Sequence, residues 1–198
     1  MKALLKETLR KNFNVPNTLT MIRMLLIPVY IVLFVDGRKY PALAVFLAAS
    51  LTDLLDGMIA RRYNQITDFG KLMDPLADKL MILTVMFSMA IGNNVIPAVV
   101  PWVAVGILLG KELVLMAGGL LMLHRNIVVY SHFIGKAAHC LFIAGLTGTF
   151  FHDWLAERCA GWFMTPDLLL IWVAVACTLG ALAFYVEDSV RKIKRTQG

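Results

Sequence analysis

Four aspartates, Asp53, Asp56, Asp74 and Asp78, fall within 26 residues of a chain that is 59% hydrophobic and 16% charged. On a helix, Asp53, Asp56, Gly57 and Ala60 recur at spacings of three and four and share one face, while Asp74 and Asp78 form an i, i+4 pair on one face of the next helix. Two helices joined by a short turn can aim all four carboxylates at one point. An ionisable group at a membrane span is expensive and must face a polar cavity or a partner, and Arg61 is a single counter-charge against four. Hard divalent cations with oxygen ligands supply the rest. Carboxylates around Mg²⁺ that leave sites for phosphate oxygens are the arrangement of phosphoryl chemistry. Two such ions, Mg²⁺ or Mn²⁺, bridging the aspartates and a diphosphate would close the charge balance.

The neighbouring small residues fit that purpose. Gly57 and Ala60 leave the helix face bare, so that a bulky ligand can approach the backbone, and Gly70 does the same at the start of the following segment. A small-residue helix contact is the simpler use of Gly57 and Ala60. Pro75 frees a carbonyl early in that segment, and Asp68 just before it reads as an N-cap.

The elements that must carry these residues are set by composition. With 198 residues and mean hydropathy +0.73, the chain reads as an all-α integral membrane protein. A span needs roughly 20 mostly apolar residues, and six segments qualify: 18–35, 40–61, 70–91, 95–122, 135–151 and 168–187. The expectation is one domain over 1–198, with an interfacial segment at 1–16 and a six-helix bundle at 17–198. Within 1–13, Met1, Leu4, Leu5, Leu9 and Phe13 form an apolar stripe with Lys2, Lys6, Arg10 and Lys11 off it, the pattern of an amphipathic helix lying in the interface. That segment has no continuous apolar core or cleavage site of a signal peptide.

An even number of spans puts both termini on one side. Thirteen lysines and arginines fall in the termini and the 2–3 and 4–5 connections, against three (Arg38, Lys39 and Arg158) in the others. By the positive-inside rule the termini and the aspartates face the cytoplasm of a multi-pass inner or plasma membrane protein. The net charge of +6 and pI near 9.4 then report topology, and no nucleic-acid partner is expected. Cys140, Cys159 and Cys177 show neither a disulfide framework nor zinc spacing. His124, His132 and His152 read as solvated, residues 151–167 as the one sizeable outer loop, and the tryptophans as interface aromatics.

Read whole, the stretch is D-x-x-D-G-x-x-A-R-x(8)-G-x(3)-D-x(3)-D, from Asp53 through Asp56, Gly57, Ala60, Arg61, Gly70 and Asp74 to Asp78. It matches the signature of the CDP-alcohol phosphotransferase family at all eight fixed positions. Asn14-Val-Pro-Asn17-Thr-Leu-Thr20, followed by Arg23, and the run from Gly70 to Lys79 resemble the bacterial phosphatidylglycerophosphate synthase branch. The resemblance implies transfer of the phosphatidyl group from CDP-diacylglycerol, a membrane lipid, to a phosphorylated small-molecule alcohol, glycerol 3-phosphate, with release of CMP. It implies that Asp53, Asp56 and Asp74 hold the two metal ions, with Asp78 sharing the second and acting as the general base. Gly57, Ala60 and Arg61 would cradle the nucleotide and its diphosphate, with Gly70, Asn17 and Thr20 as further contributors. A homodimer is also implied.

Lys111, Arg125, Lys136 and Arg191 are the cations available for an acceptor phosphate. Lys111 is the most telling, because an unpaired lysine within a span is expensive and Glu112 beside it points roughly 100° away on a helix. The chain departs from the branch here: Lys111-Glu112 stands for an Arg-Glu pair, and Gly135-Lys136-Ala137-Ala138-His139 for Gly-Lys-x-Lys-Thr. Acceptors belonging to the cardiolipin, phosphatidylserine and inositol-phosphate lipid synthases therefore stay open. Two other classes fit less well. A cation-coupled transporter predicts mid-span acids in two pseudo-symmetric halves, and a membrane prenyltransferase predicts two separated Asp-rich motifs.

Overall fold

A computed structural model describes residues 15–62, 68–124 and 133–197. Among these residues there are seven helices and no strand: α1 (Val15–Val35), α2 (Lys39–Arg62), α3 (Asp68–Ile91), α4 (Trp102–His124), α5 (Phe133–Thr149), α6 (His152–Arg158) and α7 (Pro166–Gln197). The all-helical class is as expected from the sequence, and five of the six predicted apolar segments begin within three residues of a helix. The amphipathic helix expected at 1–13 lies outside the described residues.

Two differences have local causes. The fourth helix starts at Trp102 and not near 95, because residues 92–101 form an ordered turn. Gly92 adopts φ +68, and a Cβ there would come within 2.6 Å of the Ala98 backbone nitrogen, so only glycine fits. Asn93 then accepts hydrogen bonds from the Val95 and Ile96 amides (2.8 and 2.6 Å) and donates to the Phe34 carbonyl (2.5 Å), tying this turn to the end of α1. Within the region read as a loop, residues 152–158 form the short helix α6. Asp153 in its first turn and Arg158 in its last complement the helix dipole, and the Arg158 guanidinium lies 5.2 Å from the centre of the Trp154 ring.

The chain groups into two compact units, Met1–Ala98 and Val99–Gly198. In the first, α1 packs extensively along both α2 and α3, whereas α2 and α3 touch each other much less. Tyr30, Phe46, Val85, Met86 and Met89 are completely buried there. In the second, α7 lies along α5 and, less extensively, α4. Close approach is possible because Gly145 and Gly148 carry no side chain: a Cβ at either would stand 2.8 Å from Ile171 Cγ1 or Asp167 Cβ, respectively.

Residues Asn17–Val35 of α1 and Pro166–Asp188 of α7 are long and apolar enough to cross a membrane, and only 22% of each apolar window is buried. On α1 the usual distribution is reversed. Asn17, Thr20 and Arg23 are buried, while Met21, Leu25, Val29 and Val32 are exposed. A helix that hides its polar residues and presents aliphatic ones suits hydrocarbon surroundings, where the outward face meets no water.

Candidate active site

The site is assembled within the first unit. Asp53 and Asp56 lie on α2, Asp74 and Asp78 on α3. Carboxylate oxygens of Asp53 and Asp78 fall within 4.8 Å of each other, and both side chains are half-buried. Two like charges at that distance repel by about 3 kcal/mol at an effective dielectric near 20, so the convergence needs compensation.

Part of it comes from α1. Arg23, buried to 1% exposure, brings Nη1 within 2.9 Å of Asp53 Oδ1 as an ion pair. One turn earlier, the Thr20 hydroxyl donates to Asp74 Oδ1. Asn17, a further turn back, is also buried. Spacings of three place all three on one face of α1, the face turned toward the acid-bearing helices.

The donor set suits a hard divalent cation. Carboxylate oxygens opposite each other across Mg²⁺ are about 4.2 Å apart, and those of Asp53 and Asp78, within 4.8 Å of each other, are near enough to share such an ion. Asp74 keeps a second oxygen beyond the one engaged by Thr20. Arg23 offsets one negative charge and leaves the centre with acid in excess, as a cation site requires.

Of the other residues expected from the sequence, Asp56, Gly57, Ala60 and Arg61 lie on α2 and Gly70 on α3, with side chains outside the described set. Lys136 lies on α5 with its side chain likewise outside it, and Arg125 is outside the described residues altogether. Lys111 pairs with its neighbour Glu112 at 2.6 Å, both side chains mostly shielded, so the two bend toward each other despite the angle between successive helical positions. Arg191 is exposed on the C-terminal part of α7 and pairs with Glu187 at 2.5 Å. Thr20 and Asn17, expected near the nucleotide, are both buried, and Thr20 engages an aspartate.

A family model described as CDP-alcohol phosphatidyltransferase matches residues 13–180. The chain belongs to the CDP-alcohol phosphatidyltransferase family. Its curated relatives include proteins named CDP-diacylglycerol–glycerol-3-phosphate 3-phosphatidyltransferase. That of Rickettsia prowazekii (strain Madrid E) is 46% identical over 91 residues, covering 44% of this chain and 50% of the relative. That of Pseudomonas fluorescens is 37% identical over 107 residues, covering 52% and 53%. The matched part of the chain thus spans about half the length of these relatives. The protein of Escherichia coli (strain K12) is 28% identical over 180 residues, 88% of this chain and 94% of the relative. All the aspartates that define this CDP-alcohol phosphatidyltransferase motif fall inside the matched region.

Two features escaped the sequence reading. Arg23 entered only as part of a resemblance, with no role, although Asn17, Thr20 and Arg23 at intervals of three in an apolar helix are the signal of a buried polar face. His152, read as solvated, instead places Nδ1 2.8 Å from Oδ2 of Asp167, which is fully shielded at the start of α7. No spacing rule links two residues across a helix boundary 15 positions apart. His132 lies outside the described residues, as does the side chain of His124.

Proposed function

We propose that the protein transfers the phosphatidyl group of CDP-diacylglycerol to glycerol 3-phosphate, giving phosphatidylglycerol phosphate and CMP. The observation that carries this is the approach of Asp53 and Asp78 from two helices to within 4.8 Å, in a family built on CDP-alcohols. The names of the relatives support glycerol 3-phosphate as acceptor. A second reading, another acceptor alcohol, draws on Ala138 and His139 standing where the branch has lysine and threonine.

In the chemistry, the Asp78 carboxylate takes the proton of the acceptor hydroxyl as that oxygen attacks the β-phosphorus of the CDP-lipid. The bond to the CMP oxygen breaks, and CMP leaves with the electron pair. A carboxylate at hydrogen-bond distance is a sufficient base, because the proton moves only as the P–O bond forms. Two Mg²⁺ or Mn²⁺ ions held by Asp53, Asp56, Asp74 and Asp78 would neutralise the diphosphate and the departing CMP. Gly57, Ala60, Arg61 and Gly70 would leave room for the nucleotide and bind its phosphates, with Asn17 and Thr20 lining the same wall. Lys136, Lys111, Arg125 and Arg191 would hold the acceptor phosphate. Positioning and charge neutralisation carry the rate, as in other phosphoryl transfers.

The same reading makes α1–α5 and α7 six spans of one membrane domain, with both termini and the aspartates cytoplasmic and the protein a homodimer. The decisive experiment incubates detergent-purified protein with labelled CDP-diacylglycerol and a panel of acceptors, then identifies the lipid. A phosphatidylglycerol phosphate product from glycerol 3-phosphate is expected. Product from another alcohol alone would select the second reading, and CMP release with none would reject both.

A further inference from the structure

We propose that α1 is an orienting strut for the acidic centre, with Thr20 and Arg23 as positioning residues that fix the Asp74 and Asp53 carboxylates for a divalent cation. The inference rests on reading that centre as a cation site.

Several other described helical hydroxyls turn back on their own helix. Ser50 donates to the Phe46 carbonyl at 3.0 Å, Ser88 to Thr84 at 2.8 Å and Thr147 to Ile143 at 2.7 Å. That local bond is the default for a hydroxyl in apolar surroundings. Thr20 does otherwise: it commits its one proton to a carboxylate 54 positions away on α3. Three residues on, Arg23 reaches α2 and meets Asp53. One face of one helix therefore grips both acid-bearing helices, and α1 packs on each of them far more than they pack on each other. The relative placement of Asp53 and Asp74 is thus set through α1.

The physical effect has two parts. A donor on one carboxylate oxygen fixes the rotation of the group and leaves the other oxygen directed, and partners of this kind typically alter metal affinity by about 10–100-fold. A guanidinium beside Asp53 lowers the repulsion that the carboxylates exert on one another in the absence of a cation. Thr20 should therefore govern affinity, and Arg23 the stability of the cation-free protein.

The test is a Mn²⁺ titration of the full-length, detergent-purified protein without substrate, with free Mn²⁺ read by electron paramagnetic resonance. Thr20→Val, which keeps the shape and removes the donor, should bind about tenfold more weakly, and Thr20→Ser should return to within about twofold of wild type. In parallel, Arg23→Gln should lower the melting temperature without metal and show a larger rise on adding Mn²⁺ than wild type does. Wild-type affinity in Thr20→Val, or Thr20→Ser as weak as Thr20→Val, would overturn the proposal while leaving the cation site standing. Wild type that takes up no Mn²⁺ would remove the cation reading and this inference with it. If Thr20→Val does not fold, Thr20→Ala carries the test, since it removes the same donor with a smaller side chain. It should bind Mn²⁺ about tenfold more weakly, and unchanged affinity would overturn the proposal.

Discussion

Arg23 and Asp53 stand 2.9 Å apart, guanidinium to carboxylate, on two helices whose sequences are otherwise mostly aliphatic in this region. An arginine at 1% exposure inside a membrane-compatible helix is tolerable only with a charged partner. Its place is therefore determined by the acids, and theirs in part by it. Formal charge shows the limit of this exchange: one guanidinium against Asp53, Asp74 and Asp78, the described aspartates of the motif, leaves a negative excess that divalent cations can offset.

Asp78→Asn removes the proposed base and keeps the side-chain shape. Transfer should fall by about a hundredfold or more, while CDP-diacylglycerol binding, followed by equilibrium binding of a labelled analogue, stays within a few fold. Unchanged turnover in purified enzyme would rule out Asp78 as the base.

Activity should depend on Mg²⁺ or Mn²⁺, since carboxylates within 4.8 Å hold a diphosphate only through cations. Excess chelator should abolish CMP release and either ion should restore it. Full rate in chelator would contradict the metal reading.

Lys136→Ala and Lys111→Ala should raise the KM for the acceptor far more than that for CDP-diacylglycerol. Lys111 is already paired with Glu112 at 2.6 Å, so Glu112→Gln should change the acceptor KM as well. Steady-state kinetics with each substrate varied separately checks this, and a dominant effect on the lipid KM would assign these cations elsewhere.

His152 and Asp167 make a structural prediction in the second unit. His152→Ala strips a partner from a fully shielded carboxylate and should cost about 2 kcal/mol of stability. In an Asp167→Asn background the same change should cost much less, because the two residues act as a pair. Equal costs in both backgrounds, measured by denaturant unfolding in detergent, would show that the contact contributes nothing.

Gly57, Ala60 and Arg61 stood out at once because a motif is local: its spacings of three and four are properties of a single helix. Helix class was legible for the same reason, since runs of about 20 apolar residues have few other uses. The start of α4 is not legible from hydropathy, which counts Val95 to Val100 as span, whereas Gly92, Asn93 and two prolines fold them into a turn. Helix α6 has no such signal, because its seven residues, five of them polar or aromatic, are too few to carry an apolar period.

By itself the sequence determined that the chain is helical and apolar and that it carries eight residues of a nucleotide-lipid motif at fixed intervals. Tertiary structure alone decided which groups answer them: Thr20 to Asp74, Arg23 to Asp53, His152 to Asp167. The reason is range. Periodicity and hydropathy act over a few residues along the chain, whereas the partner of a buried charge is selected by whichever helix packs against it, across separations that no spacing rule encodes.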